Sequence, residues 1–323
     1  MIGDAVNTLE HRRIPLDDDP RRFQAIQLIG TSIELEVMIH REKLSDRTPL
    51  LTICSIEFPI PPSFAFCELM WESGYQVIFC RRPGFGKLPG LPDALLSKKQ
   101  VKRRSTIASE SALFSLLIKT LNLKKVVLLG MGTSNSICYR LSQLSEQVTF
   151  CVYANPLFHP EIWDVIKPQW LKQMIRQTLM SRSGLKIAVR GLKAVLRRDP
   201  IWFYRQFAQK SPGDQAYIEQ HESDYREAGL FLQNISPNTF YYDLQNALIE
   251  DTRWDPEITQ RSNAVILSGV ETTDKWKRSI EAEAKRLNLP LIFAPSGDLF
   301  VPYVSPELLR EILQTHVPAS IEN

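Results

Sequence analysis

The sequence predicts an α/β protein in which helices cover both faces of a mainly parallel sheet and a separate block of helices is inserted late in the chain. Three observations predict it. Apolar strand-like runs alternate with amphipathic helix-like stretches from residue 22 to 155 and again after residue 255. The apolar run ending at Gly130 passes through Met131-Gly132-Thr133-Ser134 into a helix-like stretch carrying Ile137, Cys138, Tyr139, Leu141 and Leu144. Between Pro156 and Asp255 the alternation stops, and helix-like pieces punctuated by Pro168, Gly184, Pro200, Pro212-Gly213 and Pro237 replace it.

A chain of 323 residues is long enough for one large domain with an insertion. Its 44% hydrophobic and 23% charged residues are those of a globular protein, and a net charge of +3 is too small to imply nucleic acid as a partner. Cys54, Cys67, Cys80, Cys138 and Cys151 all sit in apolar runs without CxxC spacing, which predicts buried free thiols in a reducing compartment. No basic-then-apolar leader pattern opens the sequence, so a cytoplasmic protein is expected. No metal or cofactor is expected either.

Residues 1–21 read as a polar arm. Phe23–Ile29 and Ile33–His40 flank Gly30-Thr31-Ser32 and suggest an antiparallel hairpin. Leu50–Ile56 is apolar enough for a strand buried on both faces. Pro61–Ser73 has helical spacing and stops at Gly74, and Tyr75–Cys80 is a fourth strand. Ser105–Leu121 reads as a long helix opened by a Ser/Thr cap, Lys124–Gly130 and Val148–Asn155 as central strands. After the insertion come strand Ala264–Gly269, helix Asp274–Leu287, strand Leu289–Ala294 and helix Pro306–Thr315. These boundaries divide the chain into an arm (1–21), a core (22–155 and 256–323) and a helical lid (156–255).

Strand, glycine turn and helix at 126–144 resemble the nucleophile elbow of the α/β-hydrolase superfamily. Two further stretches are similar to that family's: Gly74-Tyr75-Gln76-Val77-Ile78-Phe79-Cys80-Arg81-Arg82-Pro83-Gly84-Phe85-Gly86, with Arg81 where Asp is usual, and the closing loop Ala294-Pro295-Ser296-Gly297-Asp298. The resemblance implies the α/β-hydrolase fold over about 22–317, with the insertion after the sixth strand as the lid.

It also implies a nucleophile, a histidine and an acid, and all three are replaced. Gly132 stands at the nucleophile position, Asp298 at the histidine position and Thr272 at the acid position, with Glu271 and Asp274 nearby. Ser55-Ile56-Glu57 stands where the family's oxyanion loop often begins with His-Gly. Glycine offers no attacking atom, and a carboxylate with an ordinary pKa does not replace imidazole as a proton shuttle. Ligand-pocket candidates are therefore Ser55, Ile56, Glu57, Met131, Gly132, Thr133, Ser134, His159 and Asp298. Glu57 and Asp298, both on loops at the carboxyl edge of the sheet, read either as solvated loop carboxylates or as a pair for a cation, a polar ligand group or acid–base work. Ser134, two residues into the helix, suits a backbone-satisfying hydroxyl better than a displaced nucleophile.

The lid carries a local charge excess. Residues 165–210 hold eleven Lys/Arg and one acid, Asp199, so the segment is +10 and the rest of the chain −7. Apolar residues recur among them at helical spacing. Such helices suit an acidic partner or an anionic membrane surface, or simply present charge to solvent or to the acidic core. Three functions remain open: a pseudoenzyme binding or sensing a small, largely apolar ligand; an enzyme of altered chemistry, lyase-, isomerase- or oxygenase-like; and an esterase-type hydrolase with a displaced triad.

Overall fold

The computed structural model describes residues 12–13, 22–55, 57, 59–88, 90, 106–156, 170, 173–174, 177, 181–248 and 263–317. In chain order the strands are β1 (Arg12–Arg13), β2 (Phe23–Gln27), β3 (Glu34–Ile39), β4 (Thr48–Ile53), β5 (Tyr75–Cys80), β6 (Val126–Met131), β7 (Val148–Ala154), β8 (Asn263–Gly269) and β9 (Leu291–Ala294). They form one sheet in the order β1-β2-β3-β5-β4-β6-β7-β8-β9. β1, β2, β3 and β5 pair antiparallel with their neighbours in that series, and every pair from β5 to β9 is parallel. Eight of these strands are those read from the sequence. The ninth, β1, is two residues of the polar arm, where Arg12 and Arg13 pair with Ala25 and Gln24. The lid consequently follows the seventh strand, β7.

Helices α1 (Phe64–Glu72), α2 (Ile107–Thr120), α3 (Asn135–Leu144), α9 (Asp274–Leu287), the single turn α10 (Val301–Val304) and α11 (Pro306–His316) belong to the core. The lid contributes α4 (Arg182–Arg198), α5 (Pro200–Phe207), α6 (Pro212–Gln220), α7 (Glu222–Asn234) and α8 (Pro237–Leu248). Local chemistry sets several of the ends. Ser63 caps α1 by accepting from the Phe66 amide, and Gly74, at φ +91°, carries the chain out of the helix into β5. Asn288 closes α9 in the left-handed conformation. The expected Ser/Thr cap of α2 is absent: the Thr106 hydroxyl donates to the Glu110 carboxylate instead of capping a backbone amide.

β4, β5 and β6 are buried on both faces, so alternate residues feed two apolar clusters. Leu51, Ile78, Leu128 and Ile266 pack with Phe114, Leu117 and Ile137 of α2 and α3. Leu50, Val77, Val127 and Leu129 share their cluster with α1, α11 and the lid residues Leu196, Ile201, Tyr204, Tyr225 and Leu232. The lid thus completes the core on one face of the sheet. All five cysteines are buried and free.

Two carboxylates fasten the lid to the closing loop. Glu271 accepts hydrogen bonds from Ser211 Oγ (2.6 Å), the Gly213 amide (2.9 Å), the Gly297 amide (2.9 Å) and Ser296 Oγ (3.0 Å). From the lid, buried Asp214 accepts from the amides of Asp298, Leu299 and Phe300. Burial opposes the Glu271 charge, but these four donors outweigh it and hold the carboxyl below its usual pKa. Its stabilisation is present above the unfolded value of 4.5 and is lost as pH falls through the lowered value. Glu271→Gln is expected to destabilise the protein by about 1–3 kcal/mol at pH 7 in urea denaturation. The difference should shrink towards pH 3, and an effect independent of pH would refute the charge-assisted role.

Candidate functional site

The elbow is built as a strand, one left-handed glycine and a helix. Gly132 has φ +48°, Thr133 and Ser134 complete a 3-10 turn, and α3 begins at Asn135. The side chain of buried Asn135 donates to the carbonyls of Gly132 (3.1 Å) and Ala154 (3.0 Å), tying the turn to the end of β7. Ser134 is fully buried. Its Oγ donates to the Met131 carbonyl (2.8 Å) and accepts from the Met131 amide (3.0 Å), so the hydroxyl closes the turn from inside. Cys54, just after β4, is buried, and burial pushes its thiol up to about 12.

Glu57 occupies the space a nucleophile would use. A Cβ added to Gly132 would lie 2.4 Å from Glu57 Oε2. The same oxygen accepts from the Thr133 amide (3.3 Å) and lies 3.4 Å from the Thr133 hydroxyl. The amide after the nucleophile position, which the fold can offer to a substrate oxyanion, is therefore given to an internal carboxyl. Burial raises the pKa of Glu57, and the nearby charge of Asp243 raises it further.

The partner of Glu57 is not the one the sequence suggested. Asp298 Oδ1 accepts from Asn155 Nδ2 (2.6 Å) and Thr272 Oγ1 (2.8 Å), while Ser268 Oγ donates to Asn155 Oδ1 (2.8 Å). The positions of histidine and acid thus meet as Asp298 and Thr272, without an imidazole. Burial also raises the Asp298 carboxyl. The acidic group acting on Glu57 comes from the lid: Asp243 of α8, itself fully buried and raised by burial.

Between these groups lies Arg82, 2% exposed. Its Nε and Nη2 donate to Glu110 Oε2 (2.7 Å) and Oε1 (3.2 Å), Nη1 pairs with Asp243, and Nη1 also donates to Thr133 Oγ1 (3.4 Å). Burial works against the guanidinium charge, but Asp243 and Glu110 outweigh it and raise its pKa. Above the site stand lid aromatics. Tyr204 is buried near enough for the Glu57 charge to raise its pKa further than burial alone, and its hydroxyl has no hydrogen-bond partner among the described residues. Tyr204 meets Tyr225 edge-on at 4.9 Å, Tyr225 meets Phe300 at 5.3 Å, and Tyr217 stacks on Tyr303 at 6.1 Å. A cavity of about 180 Å³ opens beside Arg82, lined by Thr106 and Glu110 at the start of α2, by Ser236 just before α8 and by Thr239 and Tyr242 of α8.

Of the sequence candidates, Met131, Gly132, Thr133, Ser134 and Glu57 converge at the elbow, and Thr272 and Asp298 at the closing loop. Ser55 is buried at the end of β4, next to Glu57. Ile56 and His159 lie outside the described residues. Asp243, Glu110 and Asn155 were missed, whereas Tyr204 belongs to the aromatic-rich stretch 202–207 that the sequence places in the lid. A lone carboxylate after Phe240-Tyr241-Tyr242 was the available signal for Asp243, and Asn155 at φ +44° marks a turn that its sequence alone does not announce.

No protein-family model and no curated protein matches the sequence. Solved structures do match. A thermophilic esterase from Thermogutta terrifontis is 15% identical with a TM-score of 0.58, covering 91% of this chain and 97% of the esterase. The fold is that of the α/β-hydrolases. A bromoperoxidase from Bacillus anthracis (16% identity, TM-score 0.58, 91% and 98% covered) and an enol-lactonase from Burkholderia xenovorans (12%, 0.55, 91% and 99%) share it. Three different chemistries on one α/β-hydrolase scaffold leave function to the site.

The contact between Gly132 and Glu57 predicts a coupling. Gly132→Ala should destabilise by about 1–3 kcal/mol, because a methyl group meets the carboxyl and φ is positive. In a Glu57→Ala background the same change should cost measurably less. Additive effects in a double-mutant cycle of urea midpoints would show that the two side chains do not compete for one space.

Proposed function

We propose that this chain is a non-hydrolytic protein of the α/β-hydrolase fold that binds a small molecule under its lid. The observation carrying this reading is the Glu57 carboxyl in the nucleophile's place, with the adjacent amide donating to it. Ser134 held between the Met131 amide and carbonyl, and Asp298 held by Thr272 and Asn155, support it from the two other sides. The cavity beside Arg82 moves the expected ligand from largely apolar to polar: Thr106, Ser236 and Thr239 offer hydroxyls on its wall.

Hydrolysis of p-nitrophenyl esters from acetate to octanoate tests the first half of this reading. The wild-type chain is expected to show no turnover above its Ser134→Ala variant, and turnover that this substitution abolishes would sink the proposal. Native mass spectrometry tests the second half. A small molecule should be retained by the wild-type chain and lost from Thr239→Leu, which fills the cavity; no bound mass on either would remove binding from the reading.

Proton transfer by Glu57 is the second reading. It is favoured by a carboxyl raised by burial and by Asp243, next to the buried Tyr204 hydroxyl. A raised folded-state pKa contributes stability that is present below the unfolded 4.5 and lost as pH rises through the folded value. Glu57→Gln, neutral throughout, should therefore gain in urea midpoint relative to wild type between pH 4.5 and 8. A constant difference across that range would mean that Glu57 titrates as an ordinary carboxyl.

A further inference from the structure

The outer face of α4 carries a row of cations that nothing in the fold uses. Lys186, Arg190, Lys193 and Arg197 recur at i, i+4, i+7 and i+11, which at 100° per residue places them within about 60° of one another along roughly 16 Å of helix. No acid interrupts Arg182–Arg198. Among the described residues none of these four makes an ion pair, although Arg205 and Arg226 elsewhere in the lid pair with Glu219 and Glu222. The helix is not free to turn the row inward, because Val189 and Leu196 on another face are 2% and 0% exposed against the lid. Alongside the row run Ile187, 67% exposed, and the small residues Gly191 and Ala194, and Trp202 of the next helix is 52% exposed.

We propose that this face of α4 seats the protein on an anionic lipid surface. A straight row of unpaired cations fits a plane of phosphate and carboxylate headgroups without needing a matched register. On the neighbouring strip Gly191 and Ala194 present nothing larger than a methyl group. Exposed isoleucine and tryptophan are residue types that a headgroup layer accepts. Each cation near such a surface changes partitioning by on the order of fivefold, so the row as a whole is worth several hundredfold.

The test is co-sedimentation of the full chain with vesicles of phosphatidylcholine alone or with about a third phosphatidylserine, at low and at physiological salt. The chain should pellet with the anionic vesicles, less at higher salt, and stay in solution with the neutral ones. The fourfold variant Lys186→Gln, Arg190→Gln, Lys193→Gln, Arg197→Gln should lose this binding by about a hundredfold or more. Its changes are on exposed or half-exposed positions, and an unchanged thermal midpoint confirms that it is folded. A second fourfold variant, Lys124→Gln, Lys125→Gln, Lys275→Gln, Lys285→Gln, removes the same charge elsewhere and should keep the binding. Equal loss in both variants would reduce the effect to net charge and overturn the proposal. So would equal pelleting with neutral vesicles, or no pelleting with phosphatidylserine even if the row retains the chain on a polyanion column.

Discussion

Arg82 is buried, and four parts of the chain depend on it. Its amide donates to Cys54 Sγ at the end of β4 (3.0 Å), and its guanidinium reaches Glu110 of α2, Thr133 of the elbow and Asp243 of the lid. A planar fork with five donors can hold such an arrangement where a lysine could not. The supporting shell is built to match. Thr106 donates to Glu110, and the Asn246 side chain both accepts from the Thr106 amide and donates to its hydroxyl, which returns the network to α8. Withdrawing one partner would leave an uncompensated buried charge, a loss on the order of 3–5 kcal/mol. The network consequently ties α8 of the lid to the elbow and to α2 through buried polar groups.

The network also explains why the site tolerates Glu57. Two carboxyls, those of Glu110 and Asp243, stand against the guanidinium, Glu57 lies close enough to feel the Asp243 charge, and burial disfavours keeping all three charged. Raised pKa values of Glu57 and Asp243, caused first by burial, are the fold's answer to this crowding. Glycine at 132 leaves room for that answer, since a Cβ there would lie 2.4 Å from Glu57 Oε2. The glycine and the internal carboxyl are thus two sides of one packing solution. A parallel case lies next door. Arg81 pairs with Glu36 (3.2 Å) and is sandwiched between the rings of Phe23 and Phe231 at 3.7 and 3.9 Å, while a Cβ on Gly86 would meet the Glu36 carboxylate at 1.5 Å. Both arginines of the Arg81-Arg82 pair are spent on joining the lid to the core.

The fold was legible because it rests on local signals. The apolar runs of β4, β5 and β6 reveal a sheet covered on both faces, and Gly74, Gly84 and Gly132 all take the positive φ that their turns imply. Which residues stand at the elbow and in the closing loop was legible too, since that needs only identities at aligned positions. How those residues are partnered was not. Whether Glu57 faces Asp298 or Asp243 depends on how α8 lies across the elbow, and no spacing within the insertion encodes that crossing. The Ser/Thr cap expected at the opening of α2 is not supplied by Thr106 for a related reason: its hydroxyl is engaged by Glu110 and by Asn246, the latter from a distant segment. Residues that join distant segments are visible only once the segments are placed.

The two carboxylates at the lid seam show how that placement holds under changing conditions. Glu271 is held below its ordinary pKa, so its contribution grows as pH rises through the acid range. Asp214 goes the other way: burial raises it to about 6 in spite of the three amides donating to it, so its contribution is full in acid and is lost above that value. Each weakens where the other is strong. The closing loop between Ser296 and Phe300 is held by both, and it is the segment that would have to move for Asp298 to meet a ligand from the lid side. Under the proposed binding reading, a seam of this kind favours approach from the flank, along α8 and the cavity beside Arg82, over approach by raising the lid as a whole.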